Sequence, residues 1–182
     1  MIYKFIIISD EADGFVREIQ INPEATFYEL HQAILTSVGY ADDRMTSFFL
    51  CNDSWEEEKE VTLEEMNTDP EVDSWVMRKT KLNELIEDEK QKLLYVFDYM
   101  TERCFFIELT DIITGKAIQK PKCTRSEGNA PKQTVDFEEL ATTNGLLDID
   151  DSFLDDQDFD IEDLDPDGFD IDLSGSGGEL RY

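Results

Sequence analysis

The sequence predicts an α+β fold: a mostly antiparallel sheet with an N-terminal hairpin followed by a packed helix, plus an acidic C-terminal tail. Two apolar, β-rich runs open the chain, one stretch with helical spacing follows them, and further strand-like runs fill the middle. Strands and helices in this order are typical of α+β domains whose sheet is largely antiparallel. We place the domain at residues 1–145 and the tail at residues 146–182.

The first two runs predict a β-hairpin with one buried face. Residues 2–9 are apolar and rich in isoleucine, residues 10–14 carry the acids and the glycine of a turn, and residues 15–21 alternate between two faces. Alternation over a short run bounded by turn residues indicates a half-buried strand. The face that we expect to be buried carries Phe15, Arg17, Ile19 and Ile21.

A helix is predicted after Pro23, which stops the second strand. Thr26 and Glu29 form a capping-box pattern, in which each side chain satisfies a backbone donor of the first turn. Gly39 is well placed to end the helix. The apolar positions recur at helical spacing and predict one buried face: Phe27, Leu30, Ile34 and Val38.

Three further strands are predicted, at residues 45–51, 93–99 and 104–113. We expect a charged loop through residue 71 and another loop at residues 121–133. Short helical segments are expected at two places: one that is capped by Thr80 and carries Leu82, Leu85 and Ile86, and one turn at residues 137–140.

Charge and composition exclude several classes of protein. The formal net charge is −28 at pH 7, and residues 1–145 alone hold thirty acidic and fifteen basic residues. Because affinity for nucleic acids depends on basic contacts to phosphates, we expect no direct binding of nucleic acid. No apolar run suits a membrane span or a signal peptide, so we expect no membrane partner. The basic residues that cluster in sequence are expected in a solvated loop: Lys116, Lys120, Lys122, Arg125 and Lys132.

The cysteines and the single histidine offer little material for a metal site. Cys51, Cys104 and Cys123 are widely spaced and odd in number, which favours a reducing cytoplasm over a disulfide framework. Residues 163–168 follow the first half of a calcium loop, but the second half of that pattern is missing. We therefore expect neither a metal nor another cofactor.

No group of residues stands out as a catalytic centre. His31 lies within the amphipathic helix, where we expect a hydrogen-bonded structural histidine rather than a general base. Asp98, Glu102, Glu108 and Asp111 cluster around a turn between two strands, as acidic side chains on a half-exposed hairpin commonly do. We therefore predict that the protein is not an enzyme; a deep pocket lined by Asp98, Glu102 and His31 would count against this.

The tail carries the most distinctive composition. Residues 146–173 contain thirteen acidic and eleven apolar residues among twenty-eight, with no Lys or Arg. Such a segment stays open through charge repulsion and can become ordered on a partner with a basic, apolar groove. Two other roles are open: a solubilising tail without a specific partner, or docking on the domain through residues 116–132. The side chains that we expect to contact the partner are Phe153, Leu154, Phe159, Ile161, Phe169 and Ile171.

Several short motifs occur together in a recognisable order. Residues 15–19 read Phe-Val-Arg-Glu-Ile, residues 30–34 read Leu-His-Gln-Ala-Ile, residues 95–99 read Tyr-Val-Phe-Asp-Tyr, and residues 127–128 are Glu-Gly. Each of the four resembles a motif of the plasmid pRiA4b ORF-3-like family. The first is similar to its Pro-Ile-Trp-Arg-Arg strand and the second to its Leu-His-x-x-Ile helix. The third resembles the strand before its Tyr-Asp-Phe-Gly-Asp signature, and the fourth resembles its late Glu-Gly motif. The resemblance covers most of residues 1–135.

This resemblance implies an α+β fold but little about activity, because the family is poorly characterised. Some of its members are carried by plasmids and transposable elements. The chain has Met100, Thr101, Glu102 and Arg103 where the family has Gly-Asp-Asp-Trp. We expect a cytoplasmic, non-enzymatic protein-interaction module with an acidic partner-binding tail. The alternative is an accessory protein of a plasmid or transposable element, which acts on a DNA-binding protein or mimics the charge of DNA.

Overall fold

Eight strands in one sheet form the framework of residues 1–65 and 75–135, the residues that the computed structural model describes. The strand order is β5-β4-β3-β6-β7-β1-β2-β8. Neighbouring strands are antiparallel except β4 and β5, which are parallel. The predicted α+β class with a mostly antiparallel sheet is confirmed. The elements are β1 (Ile2–Ile8), β2 (Val16–Ile21), α1 (Phe27–Val38), β3 (Ser47–Cys51), β4 (Glu57–Thr62), β5 (Trp75–Val76), a 3-10 turn (Leu82–Glu84), β6 (Lys92–Asp98), β7 (Arg103–Ile113) and β8 (Lys122–Glu127).

The N-terminal hairpin and the helix form as the sequence predicts. β1 and β2 pair in antiparallel register from Ile8 opposite Val16 to Tyr3 opposite Ile21. At the start of α1, the Thr26 hydroxyl accepts from the Glu29 amide at 3.3 Å, and the Glu29 carboxylate accepts from the Thr26 amide at 2.8 Å. Gly39 ends the helix in the left-handed conformation, with φ 73°. Both capping signals are therefore confirmed.

The core lies between α1 and one face of the sheet. Phe27 and Ile34 of α1 are fully buried, and the Phe27 ring lies 5.5 Å from that of Phe48 in β3. The 3-10 turn packs on the same face, where the Tyr3 hydroxyl donates to a backbone carbonyl at 2.7 Å. Burying a large apolar side chain contributes about 1.5–3 kcal/mol, so this face supplies most of the hydrophobic stabilisation.

Two segments that were predicted to be loops contain strands. β4 lies in the segment that ends at residue 71, and β8 lies in residues 121–133. Four of the six side chains of β4 and all six of β8 are exposed, so neither strand shows apolar alternation. Charged strands at or near the edge of a sheet are held by backbone pairing with their neighbours, which leaves little signal in the sequence.

The helix predicted after Thr80 is shorter than expected. It is a 3-10 turn, and its N-cap is Lys81. Thr80 is buried, and its carbonyl accepts a hydrogen bond from the amide of Phe27 at 3.0 Å. The turn predicted at residues 137–140 and the tail at residues 146–182 lie outside the described residues. Within the described ranges, no helix has the length and apolar character needed to span a membrane.

Candidate functional site

His31 is fully buried between α1 and the sheet, where it joins a polar network. Its Nε2 lies 3.1 Å from Asp42 Oδ1, and its Nδ1 lies 2.8 Å from the Tyr95 hydroxyl. A carboxylate only accepts hydrogen bonds, so Nε2 carries the proton and Nδ1 accepts from Tyr95. The hydroxyl of Thr46 lies 3.4 Å from the same Nδ1. His31 thus links α1 to β6.

Burial determines the protonation of this network. It lowers the pKa of His31, against the opposing effect of Asp42, and it raises the pKa of Tyr95, so both groups stay neutral near pH 7. Burial also pushes the pKa of Asp42 upward, but hydrogen bonds from His31 and Gln32 outweigh it and leave that pKa lowered. The imidazole is almost completely shielded from solvent, whereas the side chain of its partner Asp42 is 38% exposed.

The four acidic residues near the β6–β7 turn do not form one site. Asp98 is buried and accepts from the Met100 amide at 3.1 Å and from the Thr101 hydroxyl at 2.8 Å, so it orders the turn. The other three are spread along the hairpin: Glu102 in the turn with φ 54°, Glu108 opposite Lys92 of β6, and Asp111 in an ion pair with Lys4 at 3.4 Å.

Arg103 is a buried connection point at the start of β7. Its Nε lies 2.8 and 2.9 Å from the two carboxylate oxygens of Glu11, and its Nη2 lies 2.8 Å from one of them. Nη2 also donates to the carbonyl of Lys132 at 2.7 Å, and the guanidinium carbon lies 5.0 Å from the Phe97 ring centroid. Arg103 therefore ties the β1–β2 turn and the chain after β8 to the β6–β7 hairpin.

Arg17 is buried on the α1 side of β2 and is satisfied by carbonyl groups. Its Nε donates to the backbone carbonyl of Ser37 at 3.0 Å. Its Nη1 donates to the backbone carbonyl of Glu127 at 2.6 Å and its Nη2 to that of Gly128 at 3.2 Å. The sequence placed Arg17 on the buried face but could not reveal its partners. Any residue type supplies a backbone carbonyl, so this connection leaves no signal in the sequence.

The face of the sheet opposite α1 carries a row of adjacent apolar side chains. Residues that pair directly across antiparallel strands point to the same face, so strand register identifies the members of the row. The row consists of Phe49 of β3, Leu94 of β6, Phe106 of β7, Ile8 of β1 and Val16 of β2. None of these five side chains is fully buried, and Ile8 keeps 45% of its surface exposed. We call this row the open-face band.

Charged residues border the open-face band. In the next row of the sheet, Lys92 pairs with Glu108 and Glu18 pairs with Arg125, and Ile6 lies between the two glutamates. Trp55, in the β3–β4 connection, packs edge-on against Phe106 with ring centroids 5.1 Å apart. An apolar centre with a polar rim is the usual anatomy of a protein-binding surface.

The predicted basic cluster lies around β8. Lys122 and Arg125 belong to this strand, which corrects their assignment to a loop, whereas Lys116 and Lys120 precede it. Among the described strands, β8 pairs only with β2 and forms one end of the sheet. A cleft of about 460 Å³ lies beside it. Its lining includes Tyr28, Ala33 and Thr36 of α1 together with Lys120, Pro121 and Cys123.

A second cleft, of about 470 Å³, is lined mostly by charged side chains of the β3–β4 region and of residues 84–92. Neither cleft is lined by Asp98, Glu102 or His31. In residues 1–65 and 75–135, no three His, Cys, Asp or Glu side chains are grouped as metal ligands. Burial raises the pKa of the Cys104 thiol to about 11, so this thiol stays protonated near pH 7.

The predicted partner-binding residues of the tail stay a prediction, because they lie outside the described residues. They are Phe153, Leu154, Phe159, Ile161, Phe169 and Ile171.

Comparisons with known proteins place the fold in a family. No curated protein matches the sequence. Among solved structures, the chain is similar to the crystal structure of the protein of unknown function MM3350 from Methanosarcina mazei Go1. The identity is 21% and the TM-score 0.53, over 69% of this chain and 68% of the other. The profile of the plasmid pRiA4b ORF-3-like proteins matches residues 3–172. The chain therefore belongs to the plasmid pRiA4b ORF-3-like family.

Proposed function

We propose that the protein is a non-enzymatic protein-interaction module and that the open-face band is the binding surface of its domain. The band supports this proposal because its five apolar side chains are adjacent and partly exposed. Contiguous apolar surface on a folded domain marks an interaction site more often than scattered exposed side chains do. The charged rim supplies the polar contacts that fix a partner's orientation.

The acidic tail is the second binding element of this proposal. Its carboxylates attract a basic partner, and its six predicted anchors, from Phe153 to Ile171, contact an apolar groove on that partner. Ordering the tail on the partner costs conformational entropy, so the affinity of the tail alone is modest. The two elements act together as linked contacts on one partner.

A second candidate is favoured by the net charge of −28. A protein of this charge selects basic partners, and DNA-binding proteins present basic surfaces to phosphates. In this candidate the chain is an accessory protein that occupies the DNA-binding surface of its partner. The two candidates differ in one outcome: duplex DNA competes for the captured partner only if the chain covers the DNA-binding surface.

The test is affinity capture from a native lysate with matched variants. Ile8→Asp places a charge in the open-face band, whereas Met45→Asp places the same charge at an apolar side chain of similar exposure, 39%, before β3. We expect Ile8→Asp to lower the recovered partner at least tenfold and Met45→Asp to leave it within twofold. Equal recovery with both variants would contradict the proposed surface.

A further inference from the structure

Within the described part of the chain, β8 pairs with β2 along one edge and with no strand along the other. It is the terminal strand of the sheet in the described part of the chain, and all six of its side chains are exposed. An unpaired edge offers a row of N–H and C=O groups to another extended segment. One residue, Thr124, is extra in the β2–β8 register, and its hydroxyl bonds Glu18 at 2.6 Å, which fixes the strand on β2.

The cleft beside this edge has apolar surface in its lining and carries Lys120 and Glu29 among its polar residues. The ring of Tyr28, Ala33 and Pro121 supply apolar surface. Lys120 lines the cleft and Lys122 begins β8, and neither forms an ion pair with the described residues. The guanidinium of Arg78 stacks over the Tyr28 ring at 3.6 Å. Among the described residues, three cations without an ion-pair partner therefore lie at or near this cleft.

Two carboxylates lie near these lysines, and one of them, Glu29, lines the cleft and keeps its negative charge. Glu29 accepts hydrogen bonds at the start of α1, and Glu127 forms an ion pair with Arg125 at 2.8 Å. Of these two, only Glu127 is paired with a cation, whereas Lys120 and Lys122 have no ion-pair partner among the described residues and can pair with a ligand's carboxylates. A short acidic segment gains this attraction locally, whereas a second whole copy, at −28, is repelled over its entire surface.

We propose that β8 and the adjoining cleft, together the β8 groove, bind an acidic, extended segment of a partner protein by strand addition. The segment pairs its backbone with β8 and places an apolar side chain in the cleft between β8 and α1. Its carboxylates lie near Lys120 and Lys122. In strand addition, main-chain hydrogen bonds provide affinity and alternate side chains provide specificity. In the β8 groove, the backbone of β8 forms the hydrogen bonds and the cleft takes the side chain.

The first test uses the full chain and a fluorescein-labelled peptide, Asp-Phe-Asp-Ile-Asp-Leu-Asp-Phe-Asp, in fluorescence anisotropy. Two further peptides carry N-methyl groups on the odd or on the even internal residues. In an extended chain these amides point to opposite edges, so only one set faces β8. We expect one N-methylated peptide to bind at least tenfold more weakly and the other to stay within threefold. Equal affinities of all three peptides would overturn strand addition.

The second test locates the bound peptide by alkylation of Cys123, the exposed one of the three cysteines. Saturating peptide is expected to slow alkylation at least fivefold. Lys120→Glu is expected to weaken binding at least fivefold, whereas the matched change Lys59→Glu, on an exposed lysine of β4, leaves it within twofold.

Three results would overturn the proposal. The first is no binding of the peptide at low salt. The second is binding that leaves Cys123 equally reactive or weakens equally with both lysine variants. The third is protection of Cys123 that rises with protein concentration in the absence of peptide, because that result assigns the groove to a second copy of the chain.

Discussion

At the scale of single residues, two buried arginines connect segments of this fold that are distant in sequence. A guanidinium removed from water is stable only when its donors are satisfied, and the two residues reach this in different ways. Arg103 uses the carboxylates of Glu11 and Asp98 together with carbonyls, whereas Arg17 donates to carbonyls alone. Both donate to backbone carbonyls at or after the end of β8. They therefore hold together segments that are distant in sequence.

Arg103→Lys should destabilise the domain strongly. Lysine keeps the charge but loses the planar fork that contacts Glu11 and Lys132 together. We expect the free energy of unfolding to fall by about 2–4 kcal/mol in chemical denaturation. Arg44→Lys, at a side chain with 42% exposure, is the control and should change it by less than about 0.5 kcal/mol. Equal effects would show that the bidentate contact is not a major source of stability.

His31 should make the stability of the domain depend on pH. The folded-state pKa lies below the ordinary value of 6.5, so below that pH the unfolded chain binds more protons than the folded one. Stability contributed by the neutral imidazole is therefore present above pH 6.5 and is lost as the pH falls below it. His31 is the chain's only histidine, so no other histidine titrates in this window.

The measurement compares urea denaturation of the native chain and of His31→Gln at pH 7.5 and pH 5.5. We expect His31→Gln to be less stable at pH 7.5 by about 1–3 kcal/mol, because the network loses a partner. We also expect its stability to decrease less between the two values than that of the native chain. A decrease of the same size in both proteins would mean that His31 does not titrate as its burial implies.

At the scale of elements, the sequence predicts those parts whose side chains follow a period. β2 alternates and α1 has a capping box, helical spacing and a terminal glycine, so their existence and buried faces are confirmed. β4 and β8 carry charged side chains and were predicted as loops. Their strand structure comes from backbone pairing, β4 with the preceding strand β3 and β8 with the distant strand β2, and charged side chains give no local pattern that reveals it.

The position of a candidate binding surface depends even more on strand register than the existence of a strand does. Ile8, Leu94 and Phe106 are unremarkable members of three strand-like runs in the sequence. Only the pairing of β1, β6 and β7 places them side by side on the face away from α1. The buried role of His31 was predictable from its place in an amphipathic helix, but its partners Asp42 and Tyr95 come from separate elements.

Gly128 should be the most sensitive glycine of the β8 connection. Its φ is 66°, and an added Cβ would lie 2.6 Å from the backbone oxygen of Gly14. Gly115 has a φ of 73°, but no atom within 4 Å of such a Cβ. We expect Gly115→Ala to lower the unfolding free energy by about 1 kcal/mol, from backbone strain alone. Gly128→Ala should lower it by about 2–4 kcal/mol, because the clash adds to the strain. Equal losses would mean that the two backbones can separate freely.

At the scale of the whole molecule, charge and apolar contact have separate tasks in the proposed function. The net charge of −28 sets which partners approach, and apolar side chains set which of them stay. The two contributions are therefore expected to respond to different variants.

Changes in the tail should separate these contributions. Replacing its six predicted anchors with Ser should abolish the tail's share of partner capture, because the apolar contacts are lost. Replacing six of its acids with Asn or Gln should slow association first, with a smaller effect on dissociation. Surface-based kinetics with the captured partner measure both rates. If both variants bind with native rates, the tail has only a solubilising role and binding belongs to the domain.

The heat-capacity change of binding tests the central claim most directly, namely that a partner buries the open-face band. Calorimetric titration of the captured partner at several temperatures measures it. Burial of apolar surface gives a negative heat-capacity change, whereas binding through surface charge alone gives a small one. We predict a clearly negative value for the native chain, a similar value for Met45→Asp, and a smaller magnitude for Ile8→Asp. A value near zero, or the same negative value in all three proteins, would contradict the claim.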